Sequence, residues 1–263
     1  MRLSRVVCAT LILSPLTATR GTAQALETET ARLLPRGAIE VGHNFEFQTS
    51  SEGRELALPF ALEIGLTNRL EFLLEPVAYT AIRPKVGPRA TGPGDIEATL
   101  TYLLLPEAGA RPALATALEV KIPTASNSLI GTGRADYAGY LIASRRFGKV
   151  DVHANVSYTI VGRPAGVQVS NILGGAAAAV WRISERTELF TEVLAHTAAT
   201  PGSEVTTPPP SGTGPAELIG AEAAITGGVS RQVSNLLKLS GSVSLDNNGA
   251  VLLRPGFQLR FHL

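Results

Sequence analysis

Acidic side chains recur along this chain at alternate positions of segments whose intervening residues are apolar. Glu40, Glu46, Glu63, Glu71, Glu75, Asp95, Glu97, Glu119, Asp151 and Glu192 occupy such positions, and Lys121, Arg254 and Arg260 fall on the same face. Carboxylates gathered on one side of a sheet create a field that discriminates solutes by charge, or they pair with bases and close the space they face. Both readings stay open on the residues alone. A trio made by Glu63, Glu71 and Glu75 has the oxygen chemistry of a cation site, but a metal is not expected there, since solvent or an arginine neutralises such groups equally well.

Hydrolytic chemistry finds less support. The four histidines are His43, His153, His196 and His262. His43 lies on the apolar face of its segment, and His153 sits between Asp151 and Asn155 on the polar face. His196 ends a segment and His262 lies at the carboxyl end. No Gly-x-Ser-x-Gly nucleophile elbow is present, so no catalytic residue is assigned and an enzyme is not expected.

What must position these groups is a set of strands. Val150 to Val161 alternates most cleanly: Val150, Val152, Ala154, Val156, Tyr158 and Ile160 face one way, and Asp151, His153, Asn155, Ser157 and Thr159 the other. The same pattern predicts strands over Ala38–Gln48, Glu55–Leu66, Leu70–Tyr79, Asp95–Leu105, Pro112–Ile122, Asn171–Ile183, Thr187–His196, Ala216–Val229, Leu236–Asp246 and Ala250–Leu263. Ala135–Phe147 is a further strand whose facing the pattern does not settle. In the small-sided run Gly174-Gly175-Ala176-Ala177-Ala178-Ala179, a bend in the wall or the close approach of an inward-folded loop is expected, with a protein-packing interface as the alternative. Connections alternate between short (Thr67-Asn68-Arg69, Gly148-Lys149, Ser184-Glu185-Arg186) and long (Thr80 to Gly94, Pro123 to Arg134, Thr197 to Pro215). This parity belongs to barrels with short periplasmic turns and longer outer loops, not to sandwiches. The expected fold is therefore all-β, a transmembrane antiparallel up-and-down barrel of about 12 strands.

The chain opens on Arg2 and Arg5, an apolar run from Val6 to Leu16, and Ala23-Gln24-Ala25, the layout of a secretory signal peptide over residues 1–25. Residues 26–36 read as a short periplasmic segment and residues 37–263 as the barrel. Cys8, the one cysteine, falls in the signal, so disulfides and thiolate metal sites are excluded from the mature chain. Without Arg2, Arg5 and Arg20 the mature chain holds 20 basic residues against 22 acidic ones, which excludes electrostatic attraction to nucleic acid. No cofactor is expected. The last residues, Gly256 to Leu263, alternate without fault and suit a closing strand read by the barrel-assembly machinery. Arg83, Lys85 and Arg89 decorate one long loop, where lipopolysaccharide phosphates or plain solvent would meet them. Outer-membrane lipid and a small solute complete the expected partners.

Leu62-Glu63-Ile64-Gly65-Leu66-Thr67-Asn68-Arg69-Leu70-Glu71, Gly92-Pro93-Gly94-Asp95, Lys121-Ile122-Pro123-Thr124, Gly131-Thr132-Gly133-Arg134-Ala135-Asp136-Tyr137 and Asn155-Val156-Ser157-Tyr158 follow one another in this order. In these segments the chain resembles the outer-membrane proteins grouped as the "MetA-pathway of phenol degradation" family of transporters, over roughly residues 37–263. The resemblance implies an outer-membrane barrel that passes small solutes, aromatic or apolar ones among them. Lumen-lining candidates are Glu63, Glu71, Glu75, Glu97, Glu119, Lys121, Asp151, His153, Glu192, Arg254 and Arg260. The competing expectations are a closed structural or adhesion barrel with ligand-binding loops, and a lipid hydrolase.

Overall fold

The computed structural model describes residues 26–199 and 221–262. Within them the strands are β1 (Ala38–Asn44), β2 (Glu46–Thr49), β3 (Gly53–Thr67), β4 (Leu70–Pro84), β5 (Ala90–Gly92), β6 (Ile96–Leu105) and β7 (Ala113–Ile122). They continue as β8 (Asp136–Phe147), β9 (Val150–Ile160), β10 (Ile172–Arg182), β11 (Thr187–His196), β12 (Glu222–Gln232), β13 (Leu237–Asp246) and β14 (Val251–His262). All pairings are antiparallel: from β6 to β14 each strand pairs with the next, β4 pairs with β3 and β6, and β1 and β2 both pair with β3 on one side and β14 on the other (Glu40 opposite Arg260, Leu253 opposite Phe47), closing the sheet. Closure leaves no uncovered edge, which a sheet inside lipid requires.

The count of twelve holds once two irregularities are placed. β1 and β2 are one wall strand, in constant register with β3 and β14, interrupted near Phe45. Pro255 and Pro59 are its neighbours at the gap, and proline has no amide proton to offer a ladder. β5 is a three-residue addition that pairs with β4 inside the long loop. The early part of the strand expected over Ala216–Val229, the loop Thr200 to Pro215, the signal and Leu263 lie outside the described residues.

Burial is inverted relative to a soluble core. Leu118 is 69% exposed and Leu141 68%, whereas Glu40 is 2% exposed and Glu192 1%. An outward apolar belt around an inward polar lining is the pattern that hydrocarbon solvent selects. The facing left open for Ala135–Phe147 resolves in β8, where Asp136, Ala138, Ile142 and Ser144 are buried inward and Tyr137 and Leu141 point out. Gly228 is required by the inner wall: a Cβ there would stand 2.2 Å from the ring of Phe190 on the neighbouring strand. On the outer face His43 is covered by Phe45, Phe60 and Phe257, its ring stacked 4.2 Å from that of Phe60. Its Nδ1 lies 2.8 Å from the Pro59 carbonyl oxygen, which gives this outward polar ring a partner beside the interrupted strand.

Candidate functional site: the lumen and its N-terminal segment

Residues 26–36 do not sit outside the barrel mouth, where a short periplasmic segment was expected, but run along the inner wall. The physical reason is a series of polar and apolar contacts spaced along the segment. Near the short turns, the Arg36 amide donates to Asn68 Oδ1 at 3.4 Å, and the Leu34 amide donates to Glu71 Oε2. Gly65 allows this approach, since a Cβ there would meet the Pro35 carbonyl oxygen at 2.2 Å. Arg32 then reaches Glu107 Oε2 at 2.5 Å and donates from Nε to Asp151 Oδ1 at 2.9 Å, while Arg146 holds the other Asp151 oxygen at 2.8 Å. Glu107 is kept below the ordinary carboxylate range. Burial works against this, but bonds from Arg32 and the Arg146 amide outweigh it.

Farther in, the Ala31 amide donates to Ser144 Oγ at 2.9 Å, and Thr30 Oγ1 lies 3.1 Å from His153 Nδ1. Both the amide and the hydroxyl of Thr28 donate to Glu192 Oε1, at 2.6 and 2.5 Å. Glu27 pairs with Arg254 at 2.5 Å, and Arg254 also holds Glu46. Apolar contacts alternate with these: Ala31 packs on Ala113, Ala115, Ala117 and Ile142, and Leu26 on Ala178, Val180 and Phe190. The small-sided run of β10 thus receives the N-terminal segment rather than a loop.

Beside the segment remains a cavity of about 300 Å³, the size of a small-molecule site. Glu75, Glu97, Glu119, Lys121 and Arg254 line it, joined by Glu29 and Tyr140. Lys121 is paired with Asp136. Tyr140 donates to Glu119 Oε2 at 3.1 Å. Of the other residues named from the sequence, Glu71, Asp151, His153 and Glu192 contact the N-terminal segment. Glu63 lies opposite Glu40, whose Oε2 binds Arg260 at 2.6 Å. Sequence reasoning missed Thr28, Glu29, Thr30, Arg32 and Ser144. The alternation in Glu27-Thr28-Glu29-Thr30 directly after the cleavage motif was the available signal.

Ser144 Oγ lies 2.9 Å from His153 Nδ1, a nucleophile–base contact in outline. Ser144 is 1% exposed beneath residue 31, and Asp151 is committed to two arginines instead of orienting the imidazole. The trio lacks both access and its third member. Among the described residues, no group of three or more His, Cys, Asp or Glu is placed to hold a metal ion.

These features define a class: a closed transmembrane barrel of twelve wall strands whose bore is narrowed by its own N-terminal segment. No family model matches the chain, and no curated protein matches it in sequence. Among solved structures it is similar to the COG4313 outer membrane channel from Pseudomonas putida F1, at 16% identity over 87% of this chain and 97% of that one, with a TM-score of 0.66. It is also similar to the KdgM porin in complex with disordered oligogalacturonate, at 10% identity over 85% and 99% of the two chains, TM-score 0.56. The translocator domain of the autotransporter NalP from Neisseria meningitidis matches at 11% identity over 87% and 90%, TM-score 0.51. At these identities the likeness establishes the fold, which channels and translocators share.

Proposed function

We propose that this chain is an outer-membrane channel for passive passage of small solutes, exported by residues 1–25 and narrowed by residues 26–36. The observation that carries the reading is the cavity beside the N-terminal segment, bounded by carboxylates and enclosed by a closed polar-lined wall. The segment is held mainly by hydrogen bonds and ion pairs, which water can replace, so it narrows a path without welding it shut. Resemblance to the "MetA-pathway" proteins and likeness to the COG4313 channel support the same reading and favour small solutes, aromatic or apolar ones among them. Oligogalacturonate, held by the KdgM porin, is a polyanion. The acidic lining here disfavours such a ligand. The outer loops would face the medium, and the strand from Gly256 would be read by the assembly machinery.

Liposome swelling with sugars, amino acids and simple aromatics tests the proposal. Swelling in small neutral or cationic solutes is expected, with little in anionic oligosaccharides. Absence of swelling in every solute would favour a closed structural barrel with ligand-binding loops.

A further inference from the structure

Three arginines form a row across adjacent strands at the long-loop rim, on the outer face. Arg54 of β3 stands directly opposite Arg83 of β4 in the antiparallel ladder. Arg89 immediately precedes Ala90, the partner of Ile82, and so flanks Arg83 from the other side. Lys85 follows in the same loop, and all four side chains are exposed. Arg54 is two residues from Leu56, and so shares its outward face. Directly opposed like charges destabilise a ladder. None of the ion pairs among the described residues includes these four basic groups.

Their height decides what they meet. From Thr67 at the short-turn end of β3 to Arg54 is a rise of thirteen residues. At about 3.3 Å per residue and a tilt of about 40°, that is roughly 33 Å, just above an apolar band about 25 Å tall. Below Arg54 the outward positions are Leu56, Leu58, Phe60, Leu62, Ile64 and Leu66. The row therefore begins where the apolar face ends, at the level of lipid headgroups.

We propose that Arg54, Arg83 and Arg89 form a clamp for the phosphates of the outer-leaflet glycolipid, lipopolysaccharide. Planar guanidiniums take phosphate oxygens in pairs, and a shared anion turns the repulsion between Arg54 and Arg83 into attraction. The proposal rests on the reading that the long loops face outward; it does not depend on whether the lumen conducts.

The test compares binding of lipopolysaccharide by the detergent-solubilised chain and by the variant carrying Arg54→Gln, Arg83→Gln and Arg89→Gln. Binding should weaken roughly tenfold, with single-channel current unchanged, because no lumen residue is touched. A variant carrying Arg69→Gln and Lys149→Gln, at the short-turn end, should bind as the parent does. Dephosphorylated lipopolysaccharide should bind the parent and the triple variant equally weakly. Arg54→Gln alone should unfold at a higher temperature in lipid-free detergent while binding less, a combination that a merely structural arginine does not produce. Undiminished binding by the triple variant overturns the clamp, as does full competition by millimolar inorganic phosphate or loss of stability in Arg54→Gln.

Discussion

Trimming residues 26–33 is expected to raise the single-channel conductance roughly three- to tenfold, the scale set by opening a twelve-strand bore that lies between filled eight-strand barrels and open porins. The wall should survive the change. Its closure depends on ladder bonds between strands, and Glu192, Ser144, His153 and Asp151 would exchange their bonds to the segment for bonds to water. The apolar floor under Ala31 is made largely of alanines, Ala113, Ala115 and Ala117, so little apolar surface is newly wetted. Arg32→Ala should give a partial version of the effect. It removes the contacts to both Glu107 and Asp151 near the short-turn mouth, leaving the segment tethered by Thr28, Thr30 and Leu34. More frequent excursions to the wide level are the expected signature of that variant.

The second large effect concerns charge. In the variant carrying Glu75→Gln and Glu119→Gln, permeability to small cations over anions should fall about fivefold for each of the two carboxyls that is ionised at the working pH. A unit charge about 7 Å from a permeating ion, at an effective dielectric constant of about 40, is worth about 1 kcal/mol. The structure gives the sign. Both cavity-lining bases are committed, Lys121 to Asp136 and Arg254 to Glu27 and Glu46. Glu75 and Glu119 appear in none of the ion pairs among the described residues. Lys121→Gln should move selectivity the other way, toward cations, because it releases Asp136. Reversal potentials in a salt gradient at pH 8 measure both changes, and identical potentials in all three proteins would show that ions do not pass these side chains.

Alternation makes the wall legible in the sequence, because hydrocarbon outside and water inside impose opposite demands on neighbouring residues. Val150 to Ile160 shows this in its purest form: Val156, Tyr158 and Ile160 are exposed outward, and His153 and Asn155 are buried inward. Where the inner demand changes, the pattern blurs. Ile142 faces inward on β8 because Ala31 packs against that part of the wall, and the ring of Tyr140 packs on the same cluster while its hydroxyl reaches Glu119, so large hydrophobic groups occupy positions that alternation reserves for polar ones. Leu26 likewise explains the inward Val180 and Phe190. Residues 26–36 themselves could not be placed from the sequence. Beyond the short alternation of Glu27-Thr28-Glu29-Thr30 they carry no strand or helix pattern, and their partners, from Asn68 to Arg254, are spread over most of the chain. The lumen candidates were found because charge marks an inward position; their division between cavity and N-terminal segment depends on tertiary contacts alone.

The most direct measurement is single-channel recording in planar bilayers of the full mature chain beside the form lacking residues 26–33, in symmetric salt. Small, steady openings are expected from the first and openings several-fold larger from the second, at equal incorporation. Equal currents from the two would place the constriction elsewhere, and silence from both would contradict a conducting lumen.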